Sequence, residues 1–600
     1  MVCGLLLALI PVRSMAAGPE WLGPTTVTAS RDGRRLLVAC TDARTITVVD
    51  TALGKPVQSI ELPAEPTGAV LSPDGKMLYV TCAAPKSVVC VIRTDSGRVL
   101  DSIPVGHTAV GPAITPDGSQ LFVCNRFDND VSVIDLAARR EIARVAAVRE
   151  PIAAAVAPDG KSVYVVNHLP AGRADRFDTA SVVTVIDTAT RATRSIRLPN
   201  GSTNARGVCV SPNGKYVFVV HTLARYSLPV TQLDRGWVNT SALTVIDAAA
   251  GKRLNVVLLD EVDLGAANPW DVATAAGGEV LIVSHSGTHE LSLIDAPKLL
   301  DKLLAVAGQP EAAEVPNDLA YLIDCRRRIE LEGNGTRGLA VAGTSVYVAE
   351  YFTDTLAGVD LSPGVRPRGR QIALGAVPRL SPERRGEMLF HDAGISFQHW
   401  QSCASCHSDA RIDGLNWDLM NDGLGNPKNT RSLLFSHKGG PAMSLGVRAT
   451  AEDAVRAGIL HSLFATRSEE DAEAIDAYLK SLRPIPSPYL IDGKLSPAAR
   501  RGKAIFFDPK VNCGSCHCSP LYADGRLHDV GSRTRYDRPS DKFTTSRLTE
   551  VWRTAPYMHD GQYVSIKELL LKGKHGFAPD KPVPLTDKQL DDLVEFVLSL

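Results

Sequence analysis

Six hundred residues exceed what one hydrophobic core organises, so two or more domains are expected. Lysine and arginine number 65 against 66 acidic residues, a net charge of -1, which removes the electrostatic basis for nucleic acid or an anionic membrane as main partner. Hydrophobic residues at 44% and charged residues at 22% are those of a folded globular protein.

The chain opens MVCGLLLALIPVRSMAAGPEW. An apolar run from Val2 to Pro11 precedes the small residues Ser14, Ala16, Ala17 and Gly18, the pattern of a secretory signal over residues 1–20. No later stretch reaches the roughly 18 apolar residues of a membrane span, so the mature chain is expected to lack a transmembrane helix. The expected location is the periplasm or the cell surface.

A pattern then recurs: an apolar strand, a turn with Asp-Gly or Asn-Gly, and a β-rich strand. It reads VTASRDGRRLLVAC, AVLSPDGKMLYVTC, PAITPDGSQLFVCN, AAVAPDGKSVYVVN and VCVSPNGKYVFVVH, followed by the weaker DVATAAGGEVLIVSH and GLAVAGTSVYVAE. A third strand follows most copies (TITVVD, VTVIDT, LSLIDA), then a fourth, shorter one. Asp-Gly and Asn-Gly accept the positive φ of tight hairpins. Four strands per unit of about 42 residues is the signature of a propeller blade, and seven copies predict a seven-bladed, all-β propeller over 21–362. The repeat resembles the bacterial surface-protein propellers named after a Tyr-Val-Thr-Asn signature, seen here as YVTC, FVCN and YVVN.

Seven residues after each turn glycine stand Cys40, Cys82, Asn125, Asn167, His221, His285 and Glu350. In a closed ring they fall on one rim, where they either bind a metal or ligand or, as we favour, end their strands by ordinary turn chemistry. Cys82 and Cys90 are placed to face each other across a hairpin. The insertion 222–240, rich in aromatic and charged residues, is the expected loop for contacting a protein or polymer.

Residues 363–379 gain Pro, Gly and Arg and read as a linker. Beyond them the pattern turns helical, as in EEDAEAIDAYLKSL and DKQLDDLVEFVLSL, and a mainly α region is expected. It divides into lobes at 380–494 and 495–600, because LSPERRGEMLF and LSPAARRGKAIF look like one helix used twice, each opened by Ser-Pro.

Two motifs carry the chemistry. Cys403-Ala-Ser-Cys406-His407 and Cys513-Gly-Ser-Cys516-His517 are both C-x-x-C-H, the attachment sequence of c-type haem. Two thiols one helical turn apart add to the haem vinyl groups, and the adjacent histidine ligates iron. A zinc site built from the two thiol pairs leaves both histidines unexplained, and a thioredoxin-like motif lacks its βαβ setting. Two covalent haems are therefore expected, with His407 and His517 as proximal ligands.

Region 376–600 resembles the bacterial dihaem cytochrome c peroxidase family, which includes enzymes that mature protein-derived tryptophan cofactors. The paired haem motifs, Lys428-Asn429-Thr430 and TAPYMHDGQYVSIKELL (554–570) carry the resemblance. It implies one haem open to hydrogen peroxide, a second that is six-coordinate and passes electrons, a small cytochrome or cupredoxin-type donor, and a calcium ion held by Asn429.

This chain departs from that pattern. Where the family places the second haem's Met or Tyr ligand, counting from His559 reaches Gly573, beside His575. We expect His575 as that ligand, with Met558 as the reserve; paired histidines lower the potential relative to His/Met. Around the first haem, Leu445 stands where a bridging Trp is expected, and the catalytic Gln and Glu have no clear equivalents. Met443 and His461 are the remaining candidates there, and His461 has three open roles: iron ligand, acid–base group or structural histidine. His559 is the other candidate catalytic group. Trp400, Trp417 and Trp552 are candidates for lining the haems, with core packing the commoner job; His528 is expected to sit around a haem. The expected activity is peroxidase-type oxidoreduction, the alternatives being pure electron transfer or a propeller that holds a partner for the cytochrome.

Overall fold

The computed structural model describes residues 21–600 except 227, 231–236, 377, 421–424 and 578–582, so the expected signal segment lies outside the described residues. Seven antiparallel sheets follow one another along the chain and form the seven-bladed propeller. Blade 1 runs from Pro24–Ala29 through Lys55–Glu61, and blade 7 from Thr336–Ala342 through Gly369–Ala373.

Face-to-face stacking explains the composition of each strand. Second strands such as Leu36–Cys40 are buried along their length and read as continuous apolar runs, whereas in outer strands such as Lys55–Glu61 only Ile60 is buried. The turn glycines Gly33, Gly75, Gly118 and Gly160 take φ of 68°, 72°, 73° and 73°, the conformation for which glycine carries no Cβ penalty. Blade 7 corrects one boundary. Gly369–Ala373, read from sequence as linker, pairs with Thr355–Asp360 as the outer strand, and the propeller extends past 362. Its Pro- and Arg-rich flanks hid a strand that buries only Ile372.

The rim residues are structural, as favoured. Asn125 donates to Ser132 Oγ (2.7 Å) and Asn167 to Thr184 Oγ1 (2.9 Å). His221 Nε2 lies 2.8 Å from Thr244 Oγ1, His285 Nε2 2.9 Å from Ser292 Oγ, and Glu350 accepts from Thr355 Oγ1 at 2.6 Å. Each ties the second strand of its blade to a hydroxyl on the third. Cys82 and Cys90 do face each other, with Sγ atoms 3.6 Å apart, and both are thiols.

A pH response follows. Burial pushes His221 down to about 4 and His285 down to about 3, against an unfolded value near 6.5. The unfolded chain therefore takes up these protons first. Their stability contribution is complete above about pH 6.5 and is lost as pH falls toward those folded values, by about 2 kcal/mol per histidine between pH 7 and 5. Asparagine fills the same place in blades 3 and 4. The His221→Asn/His285→Asn double variant is thus expected to fold and to flatten the drop in urea midpoint between pH 7 and 5.

The helices are α1 (Ala296–Val306, inserted in blade 6), α2 (Pro382–His391), α3 (Cys403–Cys406), α4 (Ala451–His461), α5 (Glu469–Ser481), α6 (Pro497–Phe506), α7 (Cys513–Cys516), α8 (Ile566–Leu571) and α9 (Asp587–Leu598). Ser381 and Ser496 cap α2 and α6 with Pro in the first turn, as their Ser-Pro sequences predict. The duplication persists in the packing. In the first lobe α2 crosses α5 and Arg385 pairs with Asp471 (2.8 Å); in the second α6 crosses α9 and Arg501 pairs with Asp592 (2.5 Å).

The propeller and cytochrome lobes share an extensive polar interface. Arg126 of blade 3 bridges Glu150 (2.8 Å) and Asp409 (2.5 Å), while Arg149 donates to Arg553 O (3.0 Å) and Ala555 O (2.7 Å). Burial alone would raise Asp409, but the guanidinium groups of Arg126 and Arg206 hold its carboxyl well below the usual carboxylate range. Arg384 of α2 reaches Asp42 of blade 1 (3.2 Å) and donates to Tyr351 O of blade 7 (3.0 Å).

Candidate functional site

Each C-x-x-C-H segment forms one short helical turn, which sets its two thiols on one side. His407 Nδ1–H donates to Arg411 O (3.1 Å), and His517 Nδ1–H donates to Tyr522 O (3.0 Å). Both bonds select the tautomer that leaves Nε2 as a lone-pair donor toward a metal. Burial raises all three of the Cys403, Cys406 and Cys513 thiols, Cys513 to about 11.

Apolar walls adjoin both motifs. Leu389, Leu433, Val455 and Leu463 pack with Cys403, and Leu415, Trp417, Met420 and Phe464 with Cys406. In the second lobe Tyr522, Met558, Tyr563 and Phe577 join the cluster that contains Cys513. His575 is brought to His517, with ring centroids 6.1 Å apart, and its Nδ1 is buried without a protein partner. Two imidazoles that share one iron through bonds of about 2 Å each stand about 6 Å apart. These residues fit a c-type haem at each motif. Met558, the reserve ligand, belongs to the same cluster and takes φ of 75°.

The other expected residues are distributed differently. His461 ends α4 and is exposed. Met443 stands at the lobe junction, where its carbonyl accepts from Arg431 (3.1 Å) and Thr544 (3.0 Å). His559 is buried, with its ring stacked on Phe543 at 3.9 Å and its Nε2 2.9 Å from Asp537 Oδ2. Asn429 N–H donates to His559 O (2.7 Å), and its amide donates to Asn416 Oδ1 (3.0 Å), which leaves Oδ1 as the atom for a cation. Among the described residues, Cys516, Asp524 and His528 form a group with metal-ligand spacing, a site that haem attachment at Cys516 would compete with for the thiol.

Trp417 lines the Cys406 cluster and donates to Asp413 (2.7 Å); Trp400 is buried. Trp552 instead packs on Phe127 of the propeller, with centroids 5.0 Å apart. Described residues of the insertion 222–240 are also turned inward. Tyr226, Val230 and Val238 pack against Leu415 and Trp417, so these residues cover the first lobe rather than await an outside partner; 227 and 231–236 lie outside the described residues. Sequence reading missed the polar groups that grip the first motif: Asn204, Asn239, Asn268 and His168 all come from the propeller. The one local signal was the insertion at whose root Asn239 stands. A second omission joins the lobes: Arg411, whose carbonyl holds His407, forms a buried bidentate pair with Glu550 at 2.6 and 3.0 Å.

No family model matches the chain. Over 277 residues, 36% of this chain and 77% of the relative, it is 28% identical to hydrazine synthase subunit gamma of Kuenenia stuttgartiensis. It is 25% identical to the methylamine utilization protein MauG of Methylophilus methylotrophus over 270 residues, 36% of this chain and 81% of that protein. The C-terminal region is a relative of these c-type haem proteins. Another subunit of the same enzyme, hydrazine synthase subunit beta, is 28% identical over 203 residues, 34% of this chain and about half (51%) of that subunit's length. A solved structure of Kuenenia stuttgartiensis hydrazine synthase superposes with a TM-score of 0.53 at 25% identity, covering 58% of this chain and 98% of that one. Among the described residues, no helix is long and apolar enough to cross a membrane.

Proposed function

We propose that this chain is an exported dihaem oxidoreductase. Cys513, Cys516 and His517 would hold the haem that takes electrons from a small cytochrome or cupredoxin-type donor, and Cys403, Cys406 and His407 would hold the one that supplies them to hydrogen peroxide. The observation that carries this reading is an asymmetry between the motifs. His517 has His575 across from it at 6.1 Å, whereas no such ring faces His407 among the described residues. Paired histidines would suit an electron-passing site, and His407 without such a partner would leave its haem open to peroxide. Haem supplies the redox chemistry when bound. The chain supplies two histidines fixed through their Nδ1–H bonds, the apolar walls, and the Arg411–Glu550 tie between the lobes.

Protons are assigned to His461, exposed three residues before Phe464 of the Cys406 cluster. His559, clamped between Asp537 and Phe543, holds the lobe junction. Calcium is assigned to Asn429 Oδ1 at that junction. The relationship to two subunits of one enzyme supports propeller and cytochrome working as one unit. Export is supported by haem attachment chemistry and by the sequence of residues 1–20.

Low-temperature EPR of the oxidised holoprotein tests the reading. One low-spin and one high-spin signal are expected, with the high-spin signal lost on one equivalent of peroxide. His575→Ala is expected to abolish the low-spin signal while both haems stay attached. Two low-spin signals indifferent to peroxide would instead make the chain an electron carrier.

A further inference from the structure

The two haem motifs share their internal hydrogen bonding but not their surroundings. Around the second, Ser515 is exposed and bonds to its own segment at Asn512 O. The first is held by side chains from blades 4, 5 and 6, of which His168 and Asn204 are buried and Asn268 is half-buried. His168 Nε2 lies 2.8 Å from Ser408 Oγ, Asn204 donates to Ser405 O (2.7 Å), and Asn268 donates to Ser402 Oγ (2.8 Å).

Asn239 differs from these three because it reaches an attachment sulfur. It is 2% exposed, and its Nδ2 lies 3.2 Å from Cys406 Sγ and 2.8 Å from Gln401 Oε1. Gln401 is itself oriented, since its Nε2 donates to Ser462 O. Reversing the Asn239 amide would set oxygen against oxygen at Gln401, so the network fixes which end meets the sulfur. The cost is visible: Asn239 Oδ1 is buried without a partner, an arrangement that ordinarily destabilises.

We propose that Asn239 is a positioning residue through which the propeller sets the reduction potential of the first haem. The amide presents its positive end to the Cys406 sulfur in a site screened from water, where a dipole acts strongly. It favours the more electron-rich, reduced state and so raises the potential of the first haem relative to the second. Hydrogen bonding around the attachment site is one of the means by which proteins tune haem. The inference rests on the reading of Cys403 and Cys406 as a haem attachment site.

The test is potentiometric titration of the full holoprotein and its Asn239→Leu variant, after covalent haem has been counted by pyridine haemochrome and haem staining of a denaturing gel. The first haem is identified as the one whose spectrum His575→Ala leaves intact. Asn239→Leu is expected to retain both haems, lower the first potential and leave the second unchanged. Asn204→Ala, which removes a clamp on the same loop without touching sulfur, is expected to leave both unchanged. If the leucine variant does not accumulate, Asn239→Ser, too short to reach both partners, is expected to give the same downward shift. An unchanged first potential overturns the proposal, and so does an upward shift, the signature of exchanging an amide for hydrocarbon. An equal shift in Asn204→Ala also overturns it, by assigning the effect to loosening of the loop. Absence of covalent haem at Cys403 and Cys406 in the parent protein would overturn the attachment reading itself.

Discussion

Glu550→Gln is expected to destabilise the cytochrome region by about 3–5 kcal/mol, the usual result of removing one member of a buried ion pair. The side chains of Arg411 and Glu550 are 5% and 0% exposed, and two hydrogen bonds join them. Glutamine keeps the shape and removes the charge, so the Arg411 guanidinium is left buried without compensation. Glu550 also accepts from Ile485 N, which ties the segment between the lobes to the same carboxylate. Because Arg411 O holds His407, the loss reaches the first haem as well. The expected result is an early thermal transition accompanied by a changed EPR signal from the first haem and an unchanged one from the second. Arg411→Met/Glu550→Leu is expected to recover much of the stability, since apolar replacements of buried pairs are often neutral. Equal melting of the Glu550→Gln and parent proteins would show that the pair contributes nothing net.

Gly502→Ala is expected to destabilise the second lobe by about 3 kcal/mol, although alanine is the better helix former by about 1 kcal/mol. A Cβ at Gly502 would lie 1.8 Å from Asp592 O of α9, and one at Gly386 would lie 1.8 Å from Ala474 O of α5. Helix crossings this close leave no flexible atom to yield. Gly458 in α4 is the control, because a Cβ there meets nothing within 4 Å, and Gly458→Ala is expected to raise stability by about 0.5–1 kcal/mol. Chemical denaturation of the holoproteins checks the opposite signs. A neutral Gly502→Ala would mean that α6 and α9 separate without penalty.

Features confined to a few neighbouring residues were legible in the sequence. The Asp-Gly turns, the Ser-Pro caps and the two C-x-x-C-H segments each need only local chemistry, and each appears where its residues stand. The strand Gly369–Ala373 was not legible, because an outer blade strand buries too little to show a pattern. Contacts between distant residues were hidden for a different reason. Asn239 lies 167 residues from Cys406, and Arg411 lies 139 from Glu550. None of Asn239, Arg411 and Glu550 belongs to a motif, and only the fold brings each to its partner. His575 stands out in the sequence by a departure from the expected ligand position, and the fold sets its ring 6.1 Å from that of His517. The inward packing of Tyr226, Val230 and Val238 was not legible because exposed-looking aromatic and apolar residues cover a neighbouring domain as readily as a separate partner.

The ring has a seam. Among the described residues every sheet is built from consecutive strands, and no strand links blade 7 to blade 1. The joint consists of packed side chains such as Val27 and Leu356, the bonds from the backbone of Leu22 and Gly23 to Asp354, and Arg384 reaching both blades from α2. A ribosome makes the ring before it makes Arg384. The newborn propeller thus meets its own seam first through blades 1 and 7, and Arg384 adds a rivet from outside once the first helix of the cytochrome is made.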